Sequence, residues 1–162
     1  MALSGPRVVD NTGGRASFSG KASIGAGSSS NATVLVGDAD ININFTGNTT
    51  IDGEIDNVVG SAGVFGYVDG FGNFQVIDAG SLDNYSGVIS LSNGSVGSGN
   101  QLDVDYAGTL RGNGDTLVMS GTMDGYFLGN PQIRALEAYD TSYGSLNGST
   151  TLVGIGVIAE RD

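Results

Sequence analysis

Gly37-Asp38-Ala39-Asp40-Ile41-Asn42-Ile43-Asn44-Phe45 alternates between apolar and polar residues. Side chains of an extended chain point to opposite faces in turn, so Ala39, Ile41, Ile43 and Phe45 share one side and Asp40, Asn42 and Asn44 the other. The spacing predicts a strand with one buried and one wet face. The same rhythm continues outward in both directions. Upstream, Ala16, Phe18, Gly20, Ala22 and Ile24 alternate with Ser17, Ser19, Lys21 and Ser23. Downstream, Ile51, Gly53 and Ile55 alternate with Asp52, Glu54 and Asp56. Gly87, Ile89 and Leu91 follow Tyr85; Leu102, Val104, Tyr106 and Leu110 alternate with Asp103, Asp105 and Thr109. Leu117, Met119, Gly121, Met123, Gly125 and Phe127 share a face. The run around Ile133, Ala135 and Leu136 is less regular, and Thr150 to Ala159 is apolar on both faces.

These runs predict about eight strands and no amphipathic helix. Gly47-Asn48, Asn93-Gly94, Gly112-Asn113-Gly114-Asp115 and Asn147-Gly148 supply turn chemistry between them. One wet and one dry face implies antiparallel pairing. Glycine recurs at inward positions, where a curved sheet must bend. The expected fold is therefore all-β: one eight-stranded antiparallel up-and-down barrel, with a two-sheet sandwich as the alternative. The inward residues are small and medium apolar, which predicts a filled interior. Residues 1–13 read as an N-terminal arm and 14–162 as the barrel domain, with a long inter-strand insert at 57–84. The insert carries Phe65, Tyr67, Phe71 and Phe74 and is expected to form its own hairpin through Asp69-Gly70-Phe71-Gly72-Asn73.

Composition narrows the chemistry. The 162 residues include no Cys, no His and no Trp. That excludes a disulfide framework, a thiolate nucleophile, an ordinary zinc site and a Ser-His-Asp triad. Six basic residues against 17 acidic ones give a net charge of −11, the wrong sign for a nucleic-acid binder. Met1 to Pro6 has neither a basic nor an apolar signal region, so either a signal was removed or the chain is made as written. No run of 18 apolar residues occurs, and membrane insertion is not expected.

Four stretches, in order, resemble one family. Gly14-Arg15-Ala16-Ser17-Phe18-Ser19-Gly20-Lys21-Ala22 looks like its opening strand. Gly37 to Phe45 with Thr50-Ile51-Asp52-Gly53-Glu54-Ile55 looks like its second hairpin. Gly121 through Gly125-Tyr126-Phe127-Leu128-Gly129-Asn130-Pro131 resembles its G-x-F-x-G-P step, and Val153 to Arg161 its closing strand. Together they are similar to the β-barrel domain of transferrin-binding protein B-like proteins, the group that includes factor H-binding protein. The resemblance spans residues 14–161. It implies an eight-stranded barrel and a non-enzymatic, protein-binding role at a bacterial surface. The lipid-anchor Cys, the Gly-rich leader and the second domain of typical members have no counterpart here. None of their binding residues maps onto this sequence.

The polar constellations have plain readings. Asp52, Glu54 and Asp56 on one strand, and Asp103 and Asp105 on another, alternate with core residues and are expected to face solvent rather than a glycosidase cleft. Asp38-x-Asp40-x-Asn42 lacks the Gly and terminal Glu of a calcium loop. The glycines of 94–99 have neither the Lys nor the helix of a phosphate cradle and read as a hairpin loop. Asn-x-Ser/Thr triplets arise readily in a chain this rich in those residues.

The expectation is a chain with no enzymatic activity, no metal and no cofactor, working through protein–protein contact. It is expected to be an accessory decoration- or cement-type subunit on the exterior of a large assembly such as a phage-like particle. Its partners are then neighbouring subunits, other copies of itself among them. The alternative is a secreted or cell-surface module for a host protein or solute. Expected contact residues are Leu3, Arg7, Val8 and Val9 in the arm and Phe65, Tyr67, Phe71 and Phe74 in the insert. The insert aromatics fit either a plug over one end of the barrel or an exposed hot-spot patch.

Overall fold

The computed structural model of the chain describes residues 14–28, 31–62, 66–68, 74–76, 83–129 and 133–162. The period-two runs become the strands β1 (Arg15–Ser28), β2 (Asn31–Asn44), β3 (Thr50–Ala62), β4 (Gly66–Val68), β5 (Phe74–Val76), β6 (Asp83–Asn84), β7 (Ile89–Val96), β8 (Gln101–Gly112), β9 (Asp115–Leu128), β10 (Ala135–Leu146) and β11 (Ser149–Arg161). Eight of them form a closed antiparallel ring in the order β1-β2-β3-β7-β8-β9-β10-β11, with β11 returning to β1 from Phe18↔Arg161 to Gly27↔Leu152. The expected barrel is therefore the fold, and the sandwich is not.

The inward faces fill the ring. Phe18, Ile41, Ile43, Ile89, Val104, Leu117 and Met119 are all buried in one core cluster, with Phe45 packed against it from the rim. Phe18 and Phe127 meet across the interior, ring centroids 6.4 Å apart. Asn113-Gly114 and Asn147-Gly148 both hold positive φ at their hairpin turns, as I′-type chemistry requires.

Two asparagines bend the ring where period two alone would keep it straight. Asn57 sits at φ 48 within β3. The β2–β3 register shifts between Val36 and Asp38, opposite it. Ile51 and Ile55 point inward before the bulge; Val58 and Gly60 point inward after it. The bulge thus inverts the alternation and makes Asn57 read as a strand end. The strand instead runs on to Ala62, so β3 takes in the first residues of the expected 57–84 insert. Asn93, at φ 52, does the same in β7, with a register shift between Ser92 and Ser95. Asn93-Gly94 is therefore a bulge inside a strand, not the turn its sequence suggests. The hairpin turn lies further on, in a short 3-10 turn at Ser98–Asn100.

Among the described residues, the rest of the insert forms a two-stranded unit and a short extra strand. β4 and β5 pair antiparallel, Tyr67↔Gln75 and Val68↔Phe74; the turn expected between them, Asp69 to Asn73, lies outside the described residues. β6 lies outside the ring and pairs with the far end of β3 through Val59↔Asn84 and Gly60↔Asp83. The chain then passes Gly87 at φ +114, where a Cβ would collide with the Thr109 carbonyl, before entering β7.

Candidate binding surface

Of the expected contact residues, Leu3, Arg7, Val8, Val9, Phe65 and Phe71 lie outside the described residues. Tyr67 and Phe74 belong to the β4–β5 pair, of which the backbone alone is described. The surface that stands out is on the barrel wall.

One half of that wall is acidic. Asp38, Asp40 and Asn42 face outward on β2, and each accepts from β1: Asp38 from the Lys21 ammonium, Asp40 from Ser19 Oγ at 3.2 Å, Asn42 Oδ1 from Ser17 Oγ at 3.0 Å. Their β3 partners in register are Asp56, Glu54 and Asp52. Lys21 and then the Asn57 amide, 3.1 Å from Asp38 Oδ2, hold the Asp38 carboxyl below its ordinary value. Asp105 is held low in the same manner, by Thr122 Oγ1 at 2.7 Å and Asn93 Nδ2 at 3.2 Å. No group of three or more potential metal-ligating side chains occurs among the described residues.

Inside the wall, one polar cluster interrupts the apolar core. Tyr106 reaches from β8 across Gly121 of β9, where any Cβ would come within 2.7 Å of its hydroxyl. The hydroxyl lies 2.8 Å from Asp140 Oδ2 and 2.8 Å from Ser142 Oγ, both on the inward side of β10. The β9–β10 pairing pauses here, between Tyr139↔Asp124 and Ser145↔Val118. Burial pushes the Tyr106 phenol up to about 12. Each group satisfies another, so the cluster is a closed structural network. Tyr85 is its opposite: 5% exposed, with a buried hydroxyl that no described residue partners.

The remaining face, over β10 and β11, carries the most exposed large apolar side chains among the described residues, beside a β1 outer face that is polar at Ser17, Ser19, Lys21 and Ser23. Tyr139 is 63% exposed, Tyr143 74%, Ile158 64% and Leu152 48%. Registers place these side chains on adjoining strands: Ile158 beside Glu137, Gly156 beside Tyr139, Leu152 beside Tyr143. Between the tyrosines and Val36 of β2 the wall offers only small residues, Ser23 and Gly25 on β1 and Gly154 and Gly156 on β11. A Cβ built at Gly25 or Gly154 would meet nothing within 4 Å, so this floor is open to a partner. A groove of about 350 Å³ runs along it, lined by Lys21, Ser23, Val36, Glu137, Tyr139, Gly156 and Ile158.

The signal for this face was present in the sequence, in the doubly apolar run Thr150 to Ala159 and in the alternation Tyr139, Thr141, Tyr143. Clusters of exposed aromatic and branched side chains mark contact surfaces more often than scattered ones do. Comparison of the chain with protein-family models, with characterised proteins and with solved structures found no match.

Proposed function

We propose that the chain is a non-enzymatic protein-contact module, an accessory structural subunit on the exterior of a larger assembly such as a phage-like particle. The observation that carries this reading is the exposed strip of Tyr139, Tyr143, Leu152 and Ile158 beside a glycine floor. Tyrosines at the centre of an apolar patch are the residues from which binding hot spots are made. A closed ring has no unpaired edges, so partners must meet its wall or its loops. The wall is also the reverse of a lipid-facing barrel, which is apolar outside and polar within; here Asp and Asn line much of the outside and the core is apolar.

The test is fractionation of the chain between particles and free protein in producing cells, for the parent, Tyr139→Ala, Tyr143→Ala and Ile158→Ser. These side chains pack against nothing inside the barrel, so melting temperatures should hold. The reading expects the variants to shift to the free fraction. A parent chain that never sediments with an assembly would overturn it.

A further inference from the structure

Tyr139 divides two grooves of opposite character. One row of register partners crosses six strands of the outer wall: Val36, Ser23, Gly156, Tyr139, Asp124 and Asp103. On the Val36 side lies the glycine-floored groove, mostly apolar, with Lys21 and Glu137 also in its lining. On the other side a second groove, about 400 Å³, is lined by Gln101, Asp103, Asp124, Tyr126 and Tyr139. Tyr126, 42% exposed, and Tyr139 flank two carboxylates that stand directly opposite each other on β8 and β9. Like charges so paired oppose folding, and within the barrel Asp103 Oδ1 also accepts from Ser95 Oγ at 2.9 Å. Glu137 lies in the next row, between Ile158 and Tyr126.

We infer that this face docks on a basic surface of a partner protein, one of whose arginines enters the groove between Tyr126 and Tyr139, above Asp103 and Asp124, while an apolar side chain fills the groove beside Ile158. The inference rests on the contact-module reading and names the partner's chemistry. A guanidinium is the group that matches the site on both counts. Its plane stacks on tyrosine faces, and its fork of donors suits carboxylates. Charge complementarity selects against a second copy of this chain, which would bring a net charge of −11 and only six basic residues to an already acidic rim. The floors of the two grooves lie three strand spacings apart, about 14 Å at ~4.8 Å per strand. That is the separation of residues i and i+4 on one face of a partner strand.

The probe is the tripeptide acetyl-Gly-Arg-Gly-amide, titrated into the full ¹⁵N-labelled chain at low salt, with the neutral citrulline analogue as control. The Arg peptide should give saturable shifts confined to the amides around Gln101–Asp103, Asp124–Tyr126 and Tyr139. The Tyr139→Ala variant should weaken it roughly two- to fivefold, the span of an exposed cation–π contact. Asp103→Asn with Asp124→Asn should abolish saturation. Shifts spread evenly over Asp40, Asp52 and Glu54, or an equal response to citrulline, would overturn the inference. So would concentration-dependent self-association through the same residues, which would make the occupant a second copy. Particle fractionation separates the two readings. If Ile158→Ser releases the chain and Asp124→Asn does not, the contact module stands and the arginine groove falls. If neither releases it, both fall.

Discussion

The side-chain amide of Asn57 donates to Asp38 Oδ2 at 3.1 Å across the β2–β3 seam. Asn93 repeats the arrangement with Asp105 Oδ2 at 3.2 Å across β7–β8. In both cases an asparagine at positive φ makes a bulge, and the acid it reaches stands on the neighbouring strand. Asparagine serves because it tolerates the left-handed region and still carries a donor. The two bulges re-aim the strands so that both ends of β3 and β7 stay in the ring.

Replacing Asn57 separates its two roles. Asn57→Val forces a branched side chain into φ 48 and should destabilise the barrel by roughly 1–2 kcal/mol in urea melts. Asn57→Gly keeps the backbone and loses only an exposed hydrogen bond, so its change should stay under about 1 kcal/mol. Equal losses would show that the bulge backbone is not what matters.

Tyr106 gives an alkaline signature. Its pKa is about 12 in the fold against 10.0 ordinarily, because burial disfavours the phenolate. The folded state therefore holds this proton after the unfolded chain has released it. Stability should be full below pH about 10 and fall between about 10 and 12, by at most about 1.4 kcal/mol per pH unit. The Tyr85 phenol, also raised by burial, adds to the same fall. Tyr106→Phe should flatten that fall and, at neutral pH, cost about 1–3 kcal/mol by taking the phenol donor from Asp140; Ser142 keeps the Ser120 carbonyl at 3.4 Å. An unchanged alkaline limb would contradict the assignment.

Tyr85→Phe should have the opposite effect at neutral pH. It removes a hydroxyl that is buried and unpartnered among the described residues. Stability should stay level or rise by up to about 1 kcal/mol. A loss beyond about 1 kcal/mol would mean that the hydroxyl has a partner.

Salt should stabilise this protein. Asp38↔Asp56, Asp40↔Glu54 and Asp103↔Asp124 face each other on a chain of net charge −11. Raising sodium chloride from about 0.01 M to about 1 M shortens the screening length from about 30 Å to about 3 Å. The melting temperature should rise, at about 2–4 °C for each kcal/mol of repulsion relieved. A falling melting temperature would give the net weight to the Lys21–Asp38 pair instead.

Much of the barrel was legible because each wall strand meets solvent on one side and a filled core on the other, which writes period two into the sequence. Residues Ile41 to Phe45 show it most plainly. The bulges were not legible, since one left-handed Asn inverts the phase and mimics a turn, as at Asn93-Gly94. Asp140 was missed for a related reason. An acid in a strand reads as outward-facing, yet here it turns inward to meet a tyrosine planted two strands away. The contact strip left a trace in the two-sided apolar run of β11, but only the register shows that Tyr139, Gly156, Ser23 and Val36 form one row.

The central claim is that the β10–β11–β1 wall is where this chain meets its partner. The most direct measurement is particle fractionation of Ile158→Ser alongside its melting curve. Ile158 is 64% exposed and supports no core contact, so the account predicts a parent-like melting temperature together with loss of the chain from the particle fraction. A variant that melts like the parent and still sediments with the particle would contradict it.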